Sequence, residues 1–186
     1  MPVDFSSANR AAHAEDSRSG TVTHALICEI VSGQLTRNPP VVRARAFELF
    51  PATMQQGRRV SLAQRAATGA CSYVLRHLPG EEWAAEAEEL DTGTGRLDLV
   101  WRHERGAVVI DEIKTGAAAL ISESVLGQLE RHRLAGIRLW GSAFVGVRCL
   151  PIQNPHRALF ITASGQRVGW SSGLTQFPRS VHVEVA

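Results

Sequence analysis

The chain is almost devoid of lysine: of its 20 basic residues nineteen are arginine, and the one lysine is Lys114. The scarcity is not itself a signal; what matters is where the one ammonium was kept, because Arg and Lys differ in shape, hydration and capacity to shift their pKa. A net charge of +2 is too small to mark a nucleic-acid partner, since a dedicated binder usually shows a clustered basic face. Cysteine is also scarce. Cys28, Cys71 and Cys149 lie far apart and form no Cys-x-x-Cys pair, which excludes a zinc ribbon or a four-cysteine iron–sulfur cluster on ligand count. All three read as small buried apolar side chains. No apolar run approaches the roughly 20 residues that span a bilayer, and the polar stretch Met1 to Gly20 has no signal-peptide core, so a cytoplasmic protein is expected. Internal repeats, heptads and low-complexity tracts are missing too.

What is present is a globular composition, 44% apolar and 20% charged over 186 residues, enough for one ordinary domain. Residues 1–18 read as a flexible N-terminal arm able to become helical, and 19–186 as a single domain. Thr21 to Val31 carries a helical pattern that places His24 and Cys28 one turn apart on a common face. Pro39 and Pro40 open a short helix to Phe50, and Ser61-Leu62-Ala63-Gln64 resembles a capping box that starts a helix closed by Pro79-Gly80. Glu81 to Asp91 reads as a strand, and Asp91-Thr92-Gly93-Thr94-Gly95 as a turn. Two strands around Asp98 and Glu112 follow, then a helix from about Ala118 to Leu134 with Gly136 as its stop. Phe144 to Leu150, a hairpin of Ala158 to Thr162 with Arg167 to Trp170, and Val181 to Val185 read as further strands.

Chemistry concentrates in the central strand pair. Alternation along a strand puts Glu112 and Lys114 on one face, about 7 Å apart along the backbone. With Trp101 paired to Ala107, Asp98 lies opposite Ile110 and joins that face; a slip of one residue would bring Asp111 there instead. Two carboxylates so close repel unless a cation sits between them, and Mg²⁺ or Mn²⁺, bound by oxygen, is the natural partner. Such an ion with an adjacent lysine suits phosphodiester hydrolysis. Arg96, Arg102, Arg131 and Arg133 cluster around the strands as phosphate contacts, although a solvated face is the commoner fate of such residues. Trp101, Trp140 and Trp170 suit core packing better than base stacking.

These residues resemble the PD-(D/E)XK nuclease superfamily, and within it the RecB-like branch. Four pieces match in order over roughly residues 20–136: Gly20-Thr21-Val22-Thr23-His24, Gly95-Arg96-Leu97-Asp98, Asp111-Glu112-Ile113-Lys114-Thr115-Gly116 and Gln128-Leu129-Glu130-Arg131-His132. Leu97 replaces the proline of the superfamily's name, and His132 stands where tyrosine is usual. The resemblance implies an α/β restriction-endonuclease-like core, a central mixed β-sheet flanked by helices. It also implies that His24, Asp98, Glu112 and the Ile113 carbonyl bind Mg²⁺ or Mn²⁺, that Lys114 serves catalysis and that Gln128 positions the site or DNA. Asp111 flanks them, behind the ligands or at the surface. Gln128 and His132, with Arg96 and Arg131, are the expected nucleic-acid contacts. The implied activity is a divalent-metal-dependent deoxyribonuclease, exonuclease favoured over endonuclease, in DNA repair, recombination or defence. Its expected partners are DNA and a helicase or other repair or defence protein. The alternative is an inactive nucleic-acid-binding or assembly module of the same fold.

Overall fold

The computed structural model of the chain describes residues 5–116 and 122–169. These divide into two compact units, with a boundary inside a helix: residues up to Ser72 together with Thr115 and Gly116, and residues Tyr73–Lys114 with 122–169. The expected strand Val181 to Val185 and the side chain of Trp170 lie outside the described residues.

The first unit is helical. Helix α1 spans Phe5–Val31, α2 Pro39–Leu49, and α3, Gln56–Arg76, contributes its residues through Ser72. Two of these starts differ from the sequence expectation. Helix α1 runs through Arg18 and Gly20 rather than beginning after a loose arm, and α3 begins at Gln56, so that Ser61 is an exposed interior residue and not a cap. For α3 the reason is a hydrogen bond from the Arg59 N–H to the Gln55 carbonyl, which closes a turn before Ser61. Leu26, Ile27 and Ile30 of α1, Val42 and Ala46 of α2, and Ala66 and Ala70 of α3 are fully buried or nearly so. Removing each such side chain from water contributes favourably at about 25 cal/mol per Å² of apolar surface. Gly20 is held to its identity by packing: a Cβ there would come 2.6 Å from the Thr115 hydroxyl.

The second unit is built on a six-stranded mixed sheet in the order β1-β2-β3-β4-β5-β6: Trp83–Asp91, Arg96–His103, Val108–Lys114, Phe144–Pro151, Leu159–Thr162 and Arg167–Gly169. All neighbours are antiparallel except β3 and β4, which are parallel and joined through helix α4, Glu123–Trp140. A parallel pair requires such a crossover. Ser122 caps α4 by accepting the Val125 N–H, and the helix runs past Gly136 to Gly141. Gly136 is therefore no stop. It is buried where a Cβ would lie 2.4 to 2.7 Å from the Phe144 ring, so glycine is what lets α4 approach β4. Beneath Leu129 of α4 lie Val100, Val108, Ile110 and Val147 of the sheet, and all five are fully buried.

The β2–β3 register also differs from the expected one. Trp101 pairs with Val109, not Ala107, and Leu99 with Asp111. The turn is tighter than the sequence suggests, because the His103 N–H bonds the Ala107 carbonyl and Gly106, at φ 91°, supplies the left-handed residue that closes it. The offset is two residues, an even number, so every side chain keeps its expected face.

Candidate active site

Continuing that register by one residue puts Asp98 across from Glu112, and alternation puts Lys114 beside them. On the parallel side Glu112 is level with Cys149 of β4. All three charges act on the Cys149 thiol. Burial pushes it up to about 12, and Glu112 and Asp98 add to that while Lys114 opposes it. Cys149 is the most buried of the three cysteines; Cys28 and Cys71 are only half-buried.

Glu112 is 3% exposed and surrounded by donors. Its Oε1 accepts from Lys114 Nζ at 2.6 Å and from Gln128 Nε2 at 2.9 Å, while His132 Nδ1 lies 3.1 Å from Oε2. Lys114 Nζ donates in addition to Gln128 Oε1 at 2.7 Å, which closes a ring of three side chains. Burial alone would raise the carboxyl, but the His132 and Lys114 contacts outweigh it and hold Glu112 below the ordinary carboxylate range. Gln128 and His132 reach Glu112 because they stand one turn apart on the α4 face that covers the sheet. His132 is 2% exposed, so it belongs to the surroundings of the carboxylate and has no surface to offer a polymer.

Asp98 is held by main chain. Its Oδ2 accepts the Ile113 N–H at 2.7 Å, which ties β2 to β3 where their ladder ends. A carboxylate absent from the sequence reading stands next to it: Glu89 of β1, whose carboxylate oxygen lies within 4.8 Å of one from Asp98. Glu89 adopts φ 51°, rare for a residue with a Cβ, beyond the bulge at Ala85/Ala87. Arg96, expected at a phosphate, pairs with Glu89 at 2.5 Å. Arg102 is bound by Glu86, and Arg133 by Glu130 at 2.6 Å. Arg131 is exposed on α4. His24 is half-buried on α1, in the helical unit.

Asp111 is neither a surface group nor a partner of the site. It projects from the opposite sheet face, fully buried, and accepts Arg148 Nε at 2.5 Å and Nη2 at 2.6 Å, Tyr73 Oη at 2.7 Å and Trp101 Nε1 at 3.0 Å. Trp101 is thus the core residue its sequence context suggests, at 4% exposure. His77, one turn beyond Tyr73, is fully buried beside this cluster, and neither ring nitrogen has a hydrogen-bond partner among the described residues.

Glu112 and Asp98 could bind a hard divalent cation through oxygen, and Lys114 could meet an anionic substrate at the half-open end of the face. No helix among the described residues is long and apolar enough to cross a membrane. No family model, curated protein or solved structure matches the chain.

Proposed function

We propose that the protein is a divalent-metal-dependent nuclease of the PD-(D/E)XK type, RecB-like, that hydrolyses DNA phosphodiester bonds. One observation carries the reading: Asp98, Glu112 and the only lysine in the chain share one face of the β2–β3 pair, with Gln128 bonded to both Glu112 and Lys114. Acids confined to a sheet face beside a single cation and one amide suit phosphoryl chemistry better than a solvated edge.

The donor set fits Mg²⁺ or Mn²⁺. It is rich in carboxylate oxygen, and Asp98 and Glu89 stand close enough that a cation between them would relieve their repulsion. On this reading Asp98, Glu112 and the Ile113 carbonyl hold the ion, and His24 keeps the ligand role that the resemblance gives it. The ion supplies Lewis acidity toward the phosphate and a lowered pKa for bound water. The side chains do the rest. The Ile113 N–H fixes one Asp98 oxygen. Gln128 anchors Glu112 and holds the Lys114 ammonium, which would orient an attacking water by hydrogen bonding or stabilise charge on a phosphate oxygen, while His132 Nδ1 stands 3.1 Å from the other Glu112 oxygen. Favouring exonuclease over endonuclease, and a helicase or other repair partner, follows from the resemblance.

The second reading, an inactive nucleic-acid-binding module, draws on the engagement of Glu112 Oε1 by Lys114 and Gln128 with His132 Nδ1 3.1 Å from Oε2, surroundings that a purely structural buried carboxylate can also have. Cleavage separates the two. Labelled single- and double-stranded DNA is incubated with Mg²⁺ or Mn²⁺ and wild type, Lys114→Ala or Asp98→Asn. Metal-dependent cutting by wild type should fall at least about a hundredfold in both variants. Equal cutting by all three sinks the nuclease assignment; no cutting with retained DNA binding favours the module.

A further inference from the structure

The resemblance gives Glu89 no role, yet its place on β1 calls for one. Glu88 pairs with Leu99 and Leu90 with Leu97, so Glu89 stands across from Asp98 of β2. Like charges directly opposite one another on two strands repel. Carboxylate oxygens of this pair nonetheless come within 4.8 Å. Arg96, two residues before Asp98 on β2, shares its face and reaches Glu89 through Nε at 2.5 Å.

The Glu89–Arg96 pair opens easily. Its guanidinium side chain is 65% exposed and its carboxylate side chain 32%, and an ion pair so open to water is weak. Glu89 also holds φ 51°, a region costly for a residue with a Cβ, where glycine would make the same bend without strain. Glu112 is far less accessible: it is 3% exposed, its Oε1 accepts from Lys114 and Gln128, and His132 Nδ1 lies 3.1 Å from Oε2. Glu89 is therefore the more reachable second carboxylate for an ion held at Asp98.

We infer that Glu89 is exchanged between two partners: the Arg96 guanidinium that it holds in this structure, and a divalent cation at Asp98, toward which Glu89 turns as a ligand while Arg96 is released to a phosphate of the substrate. Glu89 is drawn more strongly by a double charge between two carboxylates than by one exposed guanidinium, and carboxylate oxygen is the donor that Mg²⁺ and Mn²⁺ prefer. The freed Arg96 then stands two residues from Asp98 with the fork geometry that suits a phosphate. Metal and substrate binding are thereby coupled, because both favour the arrangement in which Glu89 and Arg96 are apart. The exchange rests on the metal-dependent nuclease reading.

Mn²⁺ binding to the full chain is measured by titration calorimetry. Glu89→Gln should weaken it by about tenfold or more. Glu89→Gly should match that loss, which excludes a folding artefact because the left-handed backbone is then unstrained. Arg96→Gln should instead tighten binding, by about twofold to fivefold, as the competing partner is removed. Added to Glu89→Gln it should change nothing, whereas a general effect of charge would persist there. Glu104→Gln, just beyond the far end of β2, should bind as wild type does. Release of Arg96 is read by fluorescence anisotropy with a labelled oligonucleotide on the chain carrying Lys114→Ala: adding Arg96→Gln should lower the salt slope by about 1 in Mn²⁺ and leave it unchanged in EDTA. Unchanged Mn²⁺ affinity in Glu89→Gln, an Arg96→Gln effect that survives without Glu89, or the same slope change in Mn²⁺ and EDTA overturns the exchange. Mn²⁺ binding that Asp98→Asn abolishes and Glu89→Gln leaves intact removes the exchange and keeps the nuclease reading; a wild type that binds no Mn²⁺ removes both.

Discussion

At the scale of single residues, the sheet keeps two adjacent acids for opposite purposes. Glu112 faces α4 and the lysine, while Asp111 faces a buried arginine, tyrosine and tryptophan. His77 lies against that second cluster, where burial first and the like charge of Arg148 second hold its imidazole down to about 4, with Asp111 opposing. The unfolded ring titrates near 6.5. Between these values the unfolded chain binds the extra proton, so stability should be complete above about pH 6.5 and decline as pH falls toward 4. The shift corresponds to about 3 kcal/mol. Urea midpoints measured from pH 4 to 7 should show this slope in wild type and a flatter profile in His77→Phe; parallel profiles would refute it. Glu112 acts in the same sense at lower pH: its depressed carboxyl stabilises above the ordinary carboxylate range, and that contribution is lost as pH falls through its folded value.

At the scale of elements, α4 controls the site through its fit on β4. Gly136 against Phe144 sets the distance, and Gln128 and His132 hang from the same helix two turns and one turn earlier. Gly136→Ala should therefore cost about 1–3 kcal/mol in chemical denaturation, and Phe144→Leu in the same chain should recover part of it. Additive losses would show that the ring does not set the spacing. This helix also shows what a sequence can and cannot disclose. Its period placed Gln128 and His132 on one face, but whether that face looked to water or to the sheet depended on β4, which is paired in parallel with β3 from 30 or more residues away. The same distance hid Arg148 as the partner of Asp111. Strand alternation was legible because it is local and survives a register error of two. Glu89 was not, because its backbone angle breaks the alternation that would have pointed to it.

At the scale of the whole molecule, the order of helices, strand pair, crossover helix and final strands follows from periodicity and turn residues, and the described residues agree with it apart from the boundaries noted. A cation that binds only the folded state must stabilise it, by about 2.7 kcal/mol at a hundred times its Kd. Saturating Mn²⁺ should thus raise the Tm of wild type by several degrees and leave that of Asp98→Asn/Glu112→Gln unmoved. An equal rise in both would place any bound ion elsewhere.

The back-to-back arrangement of Asp111 and Glu112 has a consequence for how the chain finds its fold. Were β3 to slip by one residue against its neighbours, its side chains would exchange faces together: Lys114 would travel with Glu112 to the side of Arg148, and Asp111 would arrive beneath α4 with no lysine beside it. Charge balance therefore rejects the misaligned hairpin, because one face would gather two cations and the other would keep none of them. Geometry acts in the same direction through the tight turn closed by Gly106 and the Tyr73 and Trp101 donors that converge on Asp111.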